Sequence, residues 1–164
     1  MKYFYPDRYF DDIYQATTEL FLEHGIKGIL FDIDNTLAPY ETEVPDEKLI
    51  NYLTSLTDAG IKIGFVSNNH RERVEKFNIF GYYSAYDARK PSRRAIETAM
   101  AKLGTDTHNT ALCGDQIFTD IFGGKRLGLF CVLVKPINDK KTFFFRFKRL
   151  MEKPIIRSYL RKKG

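Results

Sequence analysis

The chain has 164 residues and a formal net charge of +5, with 43% hydrophobic and 29% charged residues. That length is close to one average domain and leaves no room for two independent cores, and the composition excludes disordered, collagenous and disulfide-stapled chains. The charge is unevenly spread: residues 135–164 hold eleven Lys or Arg against Asp139 and Glu152, a balance of +9, which leaves the remaining body at −4.

In chain order, residues 1–14 differ from the middle of the chain and are rich in aromatics (Tyr3, Phe4, Tyr5, Tyr9, Phe10, Tyr14), which suits either packing on the domain or insertion beside the tail. Short apolar, β-branched or aromatic runs predict buried strands over 26–33, 61–67, 110–115 and 129–134, with a weaker fifth over 82–86. Between them, Pro45 opens a helix that Gly60 stops, and Ala95, Ile96, Ala99, Met100 and Leu103 recur at helical spacing before Gly104. Shorter helix patterns cover 70–77 and 120–127. Strands alternating with helices predict βαβ units: a three-layer, Rossmann-like α/β fold with a parallel sheet and helices on both faces. Residues 1–164 read as a single domain, with a core over about 20–135 and a basic aromatic extension over 136–164. Cys113 and Cys131 fall in strand runs, where a free thiol acts as a small hydrophobe. No run approaches the roughly 18 apolar residues of a membrane span, and the amino terminus lacks the apolar core of a signal peptide, so a cytoplasmic location is expected.

In an open α/β sheet, ligands bind beyond the carboxyl ends of the strands. Here those places are polar: Asp32-Ile33-Asp34-Asn35-Thr36, Ser67-Asn68-Asn69, Lys90 after the weak strand, and Gly114-Asp115 followed by Asp120. Asp32 and Asp34, two residues apart, would share one face of a strand, and such repulsion needs a cation or a shared proton. With Asp115 they offer hard oxygen ligands, and no His or Cys pair lies nearby, which favours Mg²⁺ over zinc. A carboxylate can attack phosphorus to form an aspartyl phosphate, while Mg²⁺ and a lysine offset the gathered charge. A second carboxylate two residues on can protonate the leaving oxygen and later activate water. Asn35 and Thr36 are expected to shape the loop after the nucleophile. His24, His70 and His108 are expected at the surface, and Arg71 and Arg73 on a helix face within reach of a substrate head group.

The ordered set D-x-D-x-T (Asp32 to Thr36), Ser67, Lys90 and G-D-x-x-x-x-D (Gly114 to Asp120) resembles the four motifs of the haloacid dehalogenase-like (HAD) phosphatase superfamily, subfamily IIIA. The resemblance implies that Asp32 is the nucleophile and a metal ligand. It makes Asp34 the general acid/base, with a backbone carbonyl on Mg²⁺, and Asp115 the ligand that completes the metal site. Ser67 and Asn68 would hold the phosphoryl group, Lys90 would stabilise the aspartyl phosphate, and Asp120 would support Lys90 or water. The wording G-I-K-G-I-L-F-D-I-D-N-T-L, S-N-N, A-R-K-P and G-D-Q-I-F-T-D-I-F-G-G is similar to the YqeG-type branch, whose relatives include phosphatidylglycerophosphate phosphatases.

Too few residues separate the motifs for a cap domain, so an open site is expected, suited to a phosphate carried on a macromolecule or a membrane surface. In the tail, Phe143, Phe147, Leu150 and Met151 fall at i, i+4, i+7 and i+8 among cations, which fits either a basic amphipathic helix that lies on anionic lipid or a terminal helix that covers the sheet with a solvated basic face. Pro154 is expected to break that helix and leave residues 155–163 as a second segment. The favoured function is a Mg²⁺-dependent phosphomonoesterase acting on phosphatidylglycerophosphate, peripheral on the inner membrane face. The alternatives are a soluble sugar, nucleotide or nucleic-acid-end phosphatase, and an RNA- or ribosome-associated binding protein.

Overall fold

A computed structural model describes residues 1–139 and 141–164. Six strands run parallel in one sheet: β1 (Arg8–Phe10), β2 (Gly28–Phe31), β3 (Lys62–Val66), β4 (Tyr83–Ala85), β5 (Thr110–Gly114) and β6 (Phe130–Val134), in the order β1-β6-β5-β2-β3-β4. The helices are α1 (Thr18–Glu23), α2 (Glu47–Asp58), α3 (Arg71–Phe77), α4 (Arg93–Leu103), α5 (Phe122–Leu127) and α6 (Phe143–Lys163). This is the open parallel α/β sheet expected, and among the described residues no separate cap stands over it.

The two-residue alternation of each strand divides the core between the faces. Ile29, Phe31, Phe65 and Val132 pack into one cluster with α2 and α3 residues Leu53, Leu56, Val74 and Phe77. Leu30, Val66, Leu112 and Leu133 pack into the other, with Ile96, Ala99 and Met100 of α4. Each such fully buried side chain contributes about 1.5–3 kcal/mol, so covering both faces is what holds β2 and β5 at the centre. The helices start on local signals: Asp46 caps α2 by accepting the Leu49 N–H at 2.9 Å, and Gly104 ends α4 in the left-handed conformation.

Two findings depart from the sequence reading. The aromatic amino terminus adds an edge strand, β1, beside β6. It is held there by Asp7, whose carboxylate accepts from Lys125 Nζ at 2.9 Å and from the Cys131 N–H at 2.8 Å. Three residues are too few to show a strand period, so only these long-range bonds reveal it. The second departure is a correction: Pro154 does not break the tail helix, and α6 runs unbroken from Phe143 to Lys163 with the proline inside. Pro154 lies on the solvent side, while Glu152 before it and Tyr159 after it are buried against the body. Tertiary contacts on both sides of the proline hold the helical path that the missing N–H would otherwise interrupt. Further along, Tyr5 and Ser158 share a 2.7 Å hydrogen bond, so the two ends of the chain pack together, and Phe4 stacks on Phe122 of α5 at 4.8 Å.

Both cysteines are buried and free, and burial pushes both thiols up. Among the described residues, no helix is long and apolar enough to cross a membrane.

Candidate active site

β2, β3 and β5 end on one side of the sheet, and their last residues meet there. Asp32 follows β2, with its N–H donating to the Cys113 carbonyl at 2.9 Å, and Asp115 follows β5. Thr36 Oγ joins the two, 3.3 Å from Asp32 Oδ2 and 3.1 Å from Asp115 Oδ1. Asn35, at φ 63°, makes the left-handed turn that returns Thr36 to this position, and its N–H donates to the Ala38 carbonyl at 2.7 Å. The expectation that these two residues shape the loop agrees with this geometry.

Lys90 is buried at the centre. Its Nζ donates to Asp32 Oδ1 at 3.0 Å and to Asp120 Oδ1 at 2.6 Å. Burial opposes its charge, but Asp120 and Asp32 outweigh burial and hold the ammonium above the usual lysine value. Asp120 rides on a π-helical turn over Ile117–Ile121, a local distortion common at functional sites. It also accepts the Gln116 N–H at 3.2 Å. Gly114 is required beside it, because a Cβ there would stand 2.2 Å from Asp120 Cγ.

Asp32, Asp115 and Asp120 each bring a carboxylate oxygen within 4.8 Å of the others, all buried. Burial pushes the Asp32 carboxyl well above the usual range and that of Asp115 up to about 6, in spite of the cations Lys90 and Arg149 beside them. A buried surplus of negative charge built from hard oxygen donors, with no thiolate or imidazole among them, fits a divalent cation such as Mg²⁺. Asp34 stands outside this cluster. Its carboxylate accepts from Asn69 Nδ2 at 2.8 Å and from Arg73 Nε at 3.2 Å, which leaves its backbone carbonyl as the group the family resemblance assigns to the metal.

A cavity of about 250 Å³ opens over these groups, lined by Asp32, Asp34, Ser67, Lys90, Gln116 and Phe145 with neighbouring residues. Ser67 Oγ lies at its wall and accepts the Asn69 N–H at 3.0 Å. Asn68 also lines it, but its side chain is engaged with the Lys90 backbone, accepting the N–H at 2.7 Å and donating to the carbonyl at 3.2 Å. In the structure, therefore, Asn68 fixes the lysine loop. His70 reaches the cavity rim and pairs with Asp87 at 2.7 Å, while His24 and His108 lie away from it.

Of the two arginines expected on a helix face within reach of a head group, Arg73 is tucked in beside Asp34, whereas Arg71 pairs with Glu75 on the surface. Two further side chains at or beside the site were not assigned to it from sequence. Phe145 and Arg149 come from α6; Arg149 bonds the carboxylate and the carbonyl of Asp115. No local pattern marks Arg149 among eleven tail cations, because its partner is 34 positions away.

An open parallel sheet with a buried carboxylate after its central strand, one lysine joining two aspartates and a third acid after β5 defines a HAD-like hydrolase. A HAD-hydrolase-like family profile matches residues 87–138. The solved HAD phosphatase from Thermococcus onnurineus shares the fold, with a TM-score of 0.53 and 16% identity over 79% of this chain and 98% of that one. The chain belongs to the HAD-like phosphatases, enzymes that hydrolyse phosphomonoesters. Within them it is similar to "Probable phosphatase YqeG" of Bacillus subtilis, 35% identical over 164 residues that cover 99% of this chain and 95% of that protein. It is also 28% identical to "Phosphatidylglycerophosphate phosphatase 1, chloroplastic/mitochondrial" of Arabidopsis thaliana, over 92% of this chain and 47% of that longer protein.

Proposed function

We propose that the protein is a Mg²⁺-dependent phosphatase that forms an aspartyl phosphate on Asp32 and acts on the terminal phosphate of an anionic lipid headgroup, with phosphatidylglycerophosphate as the favoured substrate. The observation that carries the chemistry is the buried Asp32–Lys90–Asp120 chain at the floor of an open cavity. Asp32 attacks phosphorus as the bond to the leaving alcohol breaks, and Asp34 gives its proton to that oxygen. Water then attacks the phosphorus of the aspartyl phosphate, Asp34 takes the water's proton, and phosphate leaves with the Asp32 carboxylate restored. Asp32 and Asp115, with the Asp34 carbonyl, would hold Mg²⁺, which when bound screens the carboxylates from the phosphoryl oxygens. Lys90 carries a fixed positive charge to the same place without reorganising, and Ser67 offers a hydroxyl to a phosphoryl oxygen.

Two features support a lipid as the carrier of the phosphate. Among the described residues no cap covers the cavity, and α6, which supplies Phe145 to its wall, turns a strip of apolar side chains outward. Phe143 is 86%, Phe147 53% and Leu150 59% exposed, beside the exposed cations Arg146, Lys153 and Arg157. An apolar strip flanked by cations suits an anionic bilayer surface, with each cation near the surface worth about 1 kcal/mol.

The test is phosphate release with Mg²⁺ across a panel of phosphatidylglycerophosphate in vesicles, sugar phosphates, nucleotides and RNA ends. The lipid should be turned over with the highest kcat/KM, and Asp32→Asn, still folded, should release none. Preference for a soluble phosphate removes the lipid assignment and leaves the chemistry. Activity retained in Asp32→Asn removes the aspartyl phosphate. Binding of the full chain to anionic vesicles, weakened by Phe147→Ser with Leu150→Ser, separates lipid from RNA as the partner of the tail.

A further inference from the structure

Three side chains of α6 reach one short stretch of backbone. Lys148 Nζ donates to the Gln116 side-chain oxygen at 2.8 Å, Arg149 Nη1 donates to the Asp115 carbonyl at 2.7 Å, and Glu152 Oε1 accepts the Ile117 N–H at 2.8 Å. Residues 115–117 lead from the end of β5 into the first residue of the π-helical turn, so they carry Asp115 at one end and lead to Asp120 at the other. β5 ends at Gly114, so this stretch lies past the end of the strand.

Arg149 makes the most of these contacts. Besides the Asp115 carbonyl it bonds Asp115 Oδ2, Asp139 Oδ1 at 2.8 Å and Glu152 Oε2 at 2.9 Å. The planar guanidinium therefore takes the backbone and the carboxylate of one residue together, a geometry that a point-charge ammonium cannot copy. Thr36 holds Oδ1 of the same carboxylate from the Asp32 side. With one oxygen fixed by Thr36 and the other by Arg149, the carboxylate plane is set at both ends. Glu152, itself buried, braces the guanidinium from behind.

We propose that Arg149 is a positioning residue of the metal centre: it aims the Asp115 carboxylate, and through it the C-terminal helix is built into the catalytic apparatus. This rests on the metal-dependent reading of Asp32 and Asp115 above. The inner face of α6 thus serves the centre, while Phe147 and Leu150 on its outer face point to solvent. Carboxylate ligands lose metal affinity when the group that orients them is removed, typically by 10–100-fold.

The test uses the full chain, without lipid or substrate, and Mn²⁺ as the probe, with binding followed by calorimetry and by the free-ion paramagnetic resonance signal. Arg149→Met should weaken Mn²⁺ binding by about 10–100-fold. Arg149→Lys, which keeps the charge and loses the fork, should weaken it to a lesser degree. Phe147→Ser, on the outer face of the same helix, should bind Mn²⁺ as the wild type does. In phosphate release from a soluble phosphomonoester, the Mg²⁺ concentration for half-activity should rise by the same factor in Arg149→Lys, while KM at saturating Mg²⁺ stays near wild type. Circular dichroism identifies the folded variants, and Arg149→Lys decides the matter if Arg149→Met is unfolded. Wild-type or tighter Mn²⁺ affinity in a folded Arg149 variant overturns the assignment. A wild type that binds no Mn²⁺ overturns the metal-dependent reading and the inference with it.

Discussion

Replacing Lys90 by Met keeps the length of the side chain and deletes its charge. The side chain is 2% exposed and its Nζ sits 3.0 Å from Asp32 and 2.6 Å from Asp120, so two buried carboxylates would lose their shared cation. Breaking a buried ion pair from one side costs about 3–5 kcal/mol. At about 2–4 °C per kcal/mol for a domain of this size, Tm should fall by about 6–20 °C. Burial already raises the Asp32 carboxyl against the pull of Lys90, so without the ammonium it binds its proton still more tightly in the folded state than in the unfolded chain. Stability is then lost as pH rises, and the deficit should be larger at about pH 8 than at about pH 5. Adding Asp120→Asn removes one of the stranded charges and should recover most of the Tm, since deleting both partners of a buried pair is far milder than deleting one. Activity should not recover, because the group that stabilises charge at the phosphoryl oxygens is still missing; kcat should stay at least about 10²-fold down. Differential scanning calorimetry with phosphate-release kinetics on both variants reads the two effects separately. A Lys90→Met protein with wild-type Tm, or with kcat within about threefold of wild type, would refute the reasoning.

Other expectations follow from the same geometry. The Asp115 carboxyl is pushed up to about 6 in the folded state, chiefly by burial and against Arg149, from an ordinary value of 3.8. Its proton therefore favours folding, and that contribution, about 3 kcal/mol, disappears as pH rises through about 6. A divalent cation competes with this proton, so the gain in Tm from Mg²⁺ over EDTA should be larger at about pH 7.5 than at about pH 5. An equal gain at both would count against the site. Gly114→Ala places a methyl 2.2 Å from Asp120 Cγ, where Asp120 is held by Lys90 and the Gln116 N–H. It should cost about 1–3 kcal/mol and lower kcat, measured by thermal melts and kinetics. Asp7→Ala should release the β1 edge, lowering Tm by a few degrees with kcat unchanged; an unchanged Tm would mean that the Lys125 and Cys131 bonds to Asp7 contribute nothing.

The sequence by itself determined the central strands, the alternation with helices and the residues at the strand ends. The reasons are local. A strand covered on both faces must be largely apolar, as Gly28–Phe31 and, after Thr110, Ala111–Gly114 are, and polar groups crowded just after such strands have few structural uses. What only the tertiary structure decided depends on partners far along the chain. Arg73 differs from Arg71 because it meets Asp34, 39 positions away. Three residues become an edge strand because Asp7 grips Cys131, 124 positions on. Pro154 stays inside a helix because the body holds that helix on both sides of it. Above all, a +9 tail that reads as a solvated basic face sends Arg149 inward to Asp115, since a charge finds its partner by position in space, and no spacing in the chain records it.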